Sequence, residues 1–360
     1  MWQHLKKIDW PIFASAFFLT GIGLLCLYDY SSGRGDFFNF KKQMVFLVLG
    51  ILLMFVFSFL DWRVFRGNSY LILSLYFLSL IFLVGLFFFA SPTRGIKGWY
   101  KIGGFSFDPV EPMKIILIIL LAKYFSMRHI EMYRLRHIFL SGFYSLLPVV
   151  LIFFQPNLGS SLILIFLWVG ILAISGIRLK HFIVLVFCGL IIVVSSWSFL
   201  LKDYQKDRVT SFLVPQQDPL GTSWNQAQAK IAVGSGGIFG QGFGNGSQLR
   251  YGFLPEAHTD FIFSAIAEEF GLVGVLVLLL LFLLLFWRIM KIAFSAQSNF
   301  CRLFASGFAI VLFSQVFINI GMNLGILPVI GIPLPFVSYG GSGLLAMFTG
   351  LGILQSLKVR

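Results

Sequence analysis

Long apolar stretches with little or no charge recur along the whole chain and form its most prominent pattern. A run of about 18 or more apolar residues is long enough to cross a membrane as a helix. Lipid offers the backbone no hydrogen-bond partners, so such runs must be helical. The candidate spans are Pro11–Tyr28, Gln43–Leu60, Tyr70–Ala90, Glu111–Phe125, His137–Phe154, Ser160–Gly176, His181–Leu201, Asp260–Met290, Arg302–Leu324 and Tyr339–Leu357. We therefore expect an all-α, polytopic integral membrane protein of about ten transmembrane helices.

Composition agrees with this pattern and fixes an orientation. Hydrophobic residues make up 58% of the 360 residues, charged residues 11%, and the mean hydropathy is +0.90. The net charge of +13 does not indicate a nucleic-acid partner, because the Lys and Arg residues lie in the connections between spans. Lys and Arg concentrate in cytoplasmic connections. Their distribution among the short connections predicts that both termini are cytoplasmic.

Two connections on the predicted outer face are too long to be simple links. They are Ser91–Val110 and the segment from Lys202 to Thr259, which joins the seventh span to the eighth. Loops of this length in compact proteins are usually functional or partly folded. Most of the acidic residues also lie on or near this face, so we expect any chemistry there.

The longer outer segment contains a glycine-rich stretch, with glycines at 234, 236, 237, 240, 242, 244 and 246. Glycines allow the backbone to approach a ligand closely. Such a stretch can present N–H groups to an anion. An equally good interpretation is a flexible outer loop.

Three ionisable residues stand out at the ends of predicted spans. Asp260 lies at the outer start of the eighth span, near the lipid headgroups; an acid favoured by the helix dipole is the simpler interpretation. Glu111 and Lys114 are three residues apart and share a helix face. An ionisable residue in a membrane span costs enough free energy that it usually indicates a function. The alternative for Glu111 and Lys114 is an ordinary ion pair that anchors the helix. Lys114 is also placed to contact a lipid phosphate.

Other acids are less specific. Glu268 and Glu269 are adjacent in sequence, and we weigh structural and partner-facing roles equally for them. Glu256, His258 and Asp260 supply too few ligands for a dedicated metal site. Magnesium commonly uses one or two protein carboxylates together with substrate phosphates.

Four blocks of sequence resemble the SEDS family, which includes RodA, FtsW and a sporulation relative. The first runs from Gly95-Ile-Lys-Gly-Trp99 through Asp108-Pro-Val-Glu-Pro-Met-Lys114, and the second is Gln155-Pro-Asn-Leu-Gly159. The third is the long outer segment, which ends in Leu254-Pro-Glu-Ala-His-Thr-Asp-Phe-Ile-Phe263. The fourth is Gly331-Ile-Pro-Leu-Pro-Phe-Val-Ser-Tyr-Gly-Gly-Ser342. The blocks stand in the family's order, and the resemblance covers residues 1–360 as a single transmembrane domain with outer loops 91–110 and 202–259.

The resemblance implies a peptidoglycan glycosyltransferase of the bacterial cytoplasmic membrane. Such an enzyme polymerises lipid II into glycan strands on the outer face and releases undecaprenyl pyrophosphate. The chain looks most like RodA, whose role is cell elongation. The implied partners are lipid II, a class B penicillin-binding protein transpeptidase and other elongation proteins. A divalent cation, Mg²⁺ or Mn²⁺, bound together with the substrate pyrophosphate is the cofactor we consider.

Site residues follow by position in the matching blocks. Asp260 corresponds to the family's essential aspartate and is the predicted general base. The predicted substrate-binding residues are Glu111, Lys114, Arg94, Arg208, Gln228, Lys230, Ser235, His258 and Ser338. Among these, the cations would offset the charge of the leaving pyrophosphate.

The chain departs from the family pattern at three positions. Asp108 stands where the family has Gln, Gly98 where it has Arg, and Asn157 where it has Asp. The last change puts a charge-based role at 157 in doubt and leaves hydrogen bonding. Two other functions also fit a polytopic chain: a lipid II flippase, which needs a cavity open alternately to both faces, and a non-catalytic scaffold, which needs no outward acid.

Overall fold

The computed structural model describes residues 6–91, 97–128, 135–199, 203–214 and 222–359. Within them, each of the ten predicted spans corresponds to a helix. These helices are α1 (Trp10–Arg34), α2 (Phe38–Phe59), α4 (Ser69–Phe89), α5 (Val110–Ser126), α6 (Leu135–Phe154), α7 (Leu158–Ile174), α8 (Leu179–Phe199), α12 (Ile262–Ser295), α13 (Asn299–Asn323) and α14 (Gly341–Val359). Eight are long and apolar enough to cross a membrane, α8 over Leu179–Trp197; α5 and α7 have 17 residues each. The predicted fold class is confirmed.

Shorter elements fill the connections. They are α3 (Arg63–Gly67), strands β1 (Tyr100–Ile102) and β2 (Phe105–Phe107), α9 (Asp203–Leu213), α10 (Thr222–Ser235) and α11 (Ser247–Arg250). The two strands pair antiparallel, with Tyr100 opposite Phe107, around a turn in which Gly103 has φ of 59°. The sequence did not predict this hairpin. We call the end of the bundle that carries residues 203–214 and 222–259 the outer end and the opposite end the inner end.

Helix α5 occupies the centre of the bundle. Nearly all of its side chains are buried, including those of Glu111 and Lys114. Helices α4, α13 and α14 pack around it. A helix that is covered on all sides need not match the thickness of the lipid, which explains why this span is short and carries charge.

Helix α12 is broken near its outer end, where Gly271 has φ of 61° and ψ of −160°. The break prevents two helical hydrogen bonds, and the glycine-rich segment replaces them. The N–H groups of Leu272 and Val273 donate to the carbonyls of Gly237 and Ile238, at 2.9 and 3.1 Å. In return, the carbonyls of residues 268 and 269 accept from the N–H groups of residues 241 and 242, at 2.9 and 3.1 Å.

The glycines of this segment are needed for that contact. A Cβ at Gly236 would lie 1.9 Å from the carbonyl oxygen of Ala267, and one at Gly240 would lie 2.1 Å from that of Glu269. The segment is therefore packed against α12 and is not a flexible loop. The N–H groups of residues 241 and 242 donate hydrogen bonds to α12 and are therefore not available to an anion.

Candidate active site

A cavity of about 430 Å³ opens among the outer ends of the helices. Its walls come from α2, the β1–β2 hairpin, α9, α13, the starts of α5, α7 and α14, and the two segments that precede α12 and α14. Five of the predicted site residues line it, namely Glu111, Arg208, His258, Asp260 and Ser338. Residues more than 200 positions apart in sequence thus share one site.

The segments before α12 and α14 are held together by hydrogen bonds centred on Ser338. Its hydroxyl donates to the carbonyl of Thr259 at 2.6 Å and accepts from the N–H of Leu334 at 2.8 Å. The N–H of Tyr339 donates to the carbonyl of His258 at 2.9 Å. Ser338 is 6% exposed, so its hydroxyl fixes the backbone on both sides of the cavity.

Asp260 lies on the turn that leads into α12. Its backbone carbonyl accepts hydrogen bonds from the side-chain amides of Asn319 and Asn323, each at 3.0 Å. Gly331 faces its carboxylate: a Cβ there would lie 3.4 Å from Oδ2 of Asp260. The N-cap of α12 is Phe261. The backbone of Asp260 is therefore held by α13, and the residue lies immediately before the N-cap.

Glu111 and Lys114 form an ion pair on the first turns of α5. Nζ of Lys114 lies 2.7 Å from Oε1 of Glu111, and the side chains are 1% and 9% exposed respectively. Oε2 of Glu111 is also buried but has no hydrogen-bond partner among the described residues. The pair thus leaves one carboxylate oxygen available to whatever enters the cavity.

Asp108 lies beside this pair and also lines the cavity. Its N–H donates to the hydroxyl of Ser342 at 3.0 Å, and its Oδ1 accepts from the N–H of Val110 at 2.9 Å. Burial, followed by the negative charge of Glu111, raises the pKa of Asp108 to about 7, against smaller lowering effects of the Val110 N–H and Lys114. Asn157, at another departure from the family pattern, lines the same cavity, so the cavity gains an acid at 108 and lacks one at 157.

Cationic side chains also lie on the wall of the cavity. Lys42 of α2, Lys101 of β1 and Arg208 of α9 all line it. Nζ of Lys42 donates to the carbonyl of Gly104 and lies 3.9 Å from the centroid of the Phe38 ring. We did not predict Lys42 or Lys101 as site residues, because nothing in the apolar pattern distinguishes them from the lysines that flank any span.

Three predicted residues lie away from the cavity. Lys230 is exposed on α10, and its side chain packs beside Gly325. Ser235 is exposed, and its hydroxyl donates to the carbonyl of Ala232 at 2.9 Å. Gln228 is buried on α10 and is not among the described residues that line the cavity. Their roles in substrate binding stay predictions, and Arg94 lies outside the described residues.

The neighbouring acids have structural partners. Oε1 of Glu268 accepts from the N–H of Gln248 at 2.7 Å, and Oε2 accepts from that of Leu249 at 3.2 Å. Oε1 of Glu269 accepts from the N–H of Gly244 at 3.3 Å. Both acids thus hold the glycine-rich segment and α11 in place, which favours the structural interpretation.

Two backbone conformations at the cavity are unusual. Glu256 has φ of 50° and Phe336 has φ of 64°, and both residues line it. Residues other than glycine rarely adopt the left-handed backbone conformation, and those that do concentrate at functional sites.

Among the described residues, no three His, Cys, Asp or Glu side chains come together as a metal site.

The sequence profile for FtsW, RodA and SpoVE, described as "Cell cycle protein", matches residues 10–360. The chain is 38% identical over 331 residues to a protein of Escherichia coli K12 named peptidoglycan glycosyltransferase MrdB. The aligned residues make up 92% of this chain and 88% of MrdB.

The chain belongs to the SEDS family.

Solved structures of the family superpose on it. One, described as "Structural coordination of polymerization and crosslinking by a peptidoglycan synthase complex", contains a chain with a TM-score of 0.83 and 33% identity, covering 98% of this chain and 97% of that one. The rod shape determining protein RodA of Thermus thermophilus gives a TM-score of 0.71 at 30% identity, covering 98% and 96%. The predicted family is confirmed, and the predicted activity matches the name that MrdB carries.

Proposed function

We propose that this SEDS protein is a peptidoglycan glycosyltransferase that polymerises lipid II during cell elongation. The joint placement of Asp260 and Glu111 in one cavity at the outer end of the bundle carries the proposal. Both acids and cations line this cavity, which matches a substrate that combines sugar hydroxyls with a pyrophosphate.

In the reaction, the 4-hydroxyl of the acceptor's N-acetylglucosamine attacks the anomeric carbon of the donor's N-acetylmuramic acid. A new glycosidic bond forms, the bond to the pyrophosphate breaks, and undecaprenyl pyrophosphate leaves. Asp260 takes the proton of the attacking hydroxyl, a step typically worth about 10²–10⁴-fold. Lys42, Lys101 and Arg208 face the negative charge that develops on the leaving group.

The orientation is part of the proposal. The site opens at the outer end, and in the sequence the short connections predicted to lie on the opposite side, together with the termini, hold most of the Lys and Arg residues. We infer that both termini are cytoplasmic, in the bacterial inner membrane. Single cysteines at Ser247 and Ser298, in a background without native cysteines, test this with an impermeant maleimide. Labelling in intact cells is expected at Ser247, whereas labelling at Ser298 alone would reverse the orientation.

A penicillin-binding transpeptidase is the proposed partner, since polymerised strands must be cross-linked. The match to a chain from a complex that coordinates polymerisation with crosslinking supports this assignment. Co-purification of tagged protein from native membranes tests it, and recovery without any transpeptidase would contradict it.

Asp260→Asn is the decisive variant for the activity. Asparagine keeps the size of the side chain and leaves the backbone carbonyl available to Asn319 and Asn323, but it cannot accept the proton. Polymerisation of labelled lipid II by the purified variant is expected to be lost, while thermal stability stays near that of the wild type.

Asp36→Asn is the matched control. Asp36 is also at the outer end but is exposed, where its Oδ1 accepts from the N–H of Phe38 at 2.9 Å. Full activity is expected for this variant. A near-normal rate for Asp260→Asn would show that Asp260 is not the base, and a wild type that moves lipid II without polymerising it would favour the flippase.

A further inference from the structure

The part of the cavity nearest the centre of the bundle contains a buried glutamine that the proposed chemistry does not use. Gln315 lies inside α13, eight residues before its outer end at Asn323, and is 2% exposed. Its Oε1 is buried and has no hydrogen-bond partner among the described residues. The side chain lines the same cavity as Glu111 and Asp260.

A buried polar atom without a partner is destabilising, and nearly all such atoms in folded proteins are satisfied. This one lies in α13, most of whose side chains are buried, where an aliphatic side chain would be the stabilising choice. An unsatisfied amide that faces a cavity is therefore best explained by a partner that occupies the cavity.

A second acceptor faces the same space. Oε2 of Glu111 is buried without a partner, while Oε1 is bound by Lys114 at 2.7 Å. This part of the cavity has two open acceptor oxygens, Oε1 of Gln315 and Oε2 of Glu111. The ion pair has no net charge, because Lys114 balances the charge of Glu111. Neutral hydrogen-bond donors, such as hydroxyl and amide N–H groups, match it better than ions do.

Asn157 and Ser160, from the start of α7, add further polar groups to the wall of the cavity. The N–H of Ser160 donates to Oδ1 of Asn157 at 3.2 Å. The cations Lys42, Lys101 and Arg208 come from α2, the hairpin and α9. The wall of the cavity thus combines these cations with groups that accept hydrogen bonds.

We propose that Gln315 and Oε2 of Glu111 form a subsite that binds hydroxyl or acetamido N–H groups of a sugar ring, with Gln315 in direct contact with the sugar. This rests on the proposed function, because it takes the ligand to be an N-acetylated sugar of lipid II. Gln315 is then a substrate-binding residue, and α13, which already holds the backbone of Asp260, also contributes to recognition.

Gln315→Met tests the subsite, because methionine has a similar length and removes both the acceptor and the donor of the amide. Purified full-length protein is assayed for polymerisation over a range of lipid II concentrations. The expected result is a rise in KM of about tenfold, as for the loss of a hydrogen bond to a buried group. The melting temperature is expected to be unchanged or higher, since an unsatisfied atom is removed.

Gln355→Met is the matched control. Gln355 is also a fully buried glutamine, but both of its side-chain groups are bonded to the backbone of Asp9: Oε1 accepts from its N–H at 2.8 Å, and Nε2 donates to its carbonyl at 3.0 Å. Its replacement is expected to lower the melting temperature and leave KM unchanged. The two glutamines should thus give opposite results.

Direct binding of N,N′-diacetylchitobiose, measured by isothermal titration calorimetry, separates this proposal from the proposed function. Weaker sugar binding by Gln315→Met than by the wild type supports the subsite even if the wild type does not polymerise lipid II. Unchanged KM and unchanged sugar affinity would show that solvent alone fills the subsite and would overturn the proposal while leaving the polymerase activity intact. A wild type that neither polymerises lipid II nor binds the sugar overturns both.

Discussion

The described part of the chain contains two buried ionic clusters, one at each end of the bundle. At the inner end, Asp9 is 2% exposed and binds Arg288 through both carboxylate oxygens, at 2.9 and 2.6 Å, and Lys358 through Oδ2 at 2.8 Å. Burial alone would raise the pKa of Asp9, but these hydrogen bonds and charges hold it below its ordinary value. At the outer end, Glu111 has one partner, Lys114, and one open oxygen.

The difference separates a cluster whose acceptors are all bonded within the protein from one that keeps an acceptor open to a ligand. Every acceptor of the inner cluster is satisfied by the protein, and the cluster joins α1, α12 and α14. The outer cluster keeps an unsatisfied acceptor on the wall of a cavity. Buried acceptors without partners are rare in folded proteins. Two carboxylates of similar burial can therefore have different roles, and hydrogen-bond satisfaction distinguishes them.

The largest effect is expected at the outer pair. Glu111→Ala leaves the ammonium of Lys114, whose side chain is 1% exposed, without its partner. Breaking a buried pair in this way costs about 3–5 kcal/mol of unfolding free energy. Polymerisation should also be lost. Denaturant titration in micelles and the lipid II assay measure the two effects.

The double variant Glu111→Leu, Lys114→Met separates stability from activity. Replacing both charges with apolar groups is often neutral or stabilising, so the unfolding free energy should recover. Activity should not recover, because the open acceptor is gone. A double variant with wild-type activity would show that the outer pair is structural, like the inner one.

At the inner cluster, Asp9→Ala should lower stability alone. Arg288 and Lys358 are 17% and 35% exposed, so water solvates them partly after the change, and the loss is expected to be about 2–3 kcal/mol. The rate of polymerisation per folded molecule should equal that of the wild type. A change in KM for lipid II would contradict the division between the two clusters.

A smaller effect concerns pH. The pKa of Asp108 rises from 3.8 to about 7 on folding, so the folded state binds more protons than the unfolded state between these values. The contribution of Asp108 to stability is therefore complete below pH 4 and is lost as pH rises to about 7. The melting temperature of Asp108→Asn should fall less than that of the wild type across this window. Equal slopes would show that Asp108 ionises as it would in water.

The sequence predicts the helices well because each span depends on local composition. The apolar runs that end near Tyr28, Leu60 and Ala90 become helices α1, α2 and α4. The burial of α5 could not be predicted from its own sequence, because the helices that cover it include α13 and α14, which are distant in the chain. The charge and shortness of this span were the available signals, and both are explained by its central position.

The site was predicted in part. Motif residues such as Asp260, Glu111 and Ser338 do meet in one cavity, because blocks far apart in sequence end at the same face. Gln315 and Lys42 were missed. A glutamine inside an otherwise apolar span is a usable signal for Gln315, whereas Lys42 resembles any lysine that flanks a span. The glycine-rich stretch was ambiguous because its partner, the break at Gly271, is visible only in three dimensions.

That break has a consequence for biosynthesis. The carbonyls of residues 268 and 269 receive hydrogen bonds from residues 241 and 242, which are synthesised earlier. A carbonyl left without a donor in lipid is costly, by several kcal/mol for each group. The donors are therefore already synthesised when the ribosome completes α12, so the outer segment can supply these hydrogen bonds as α12 enters the membrane.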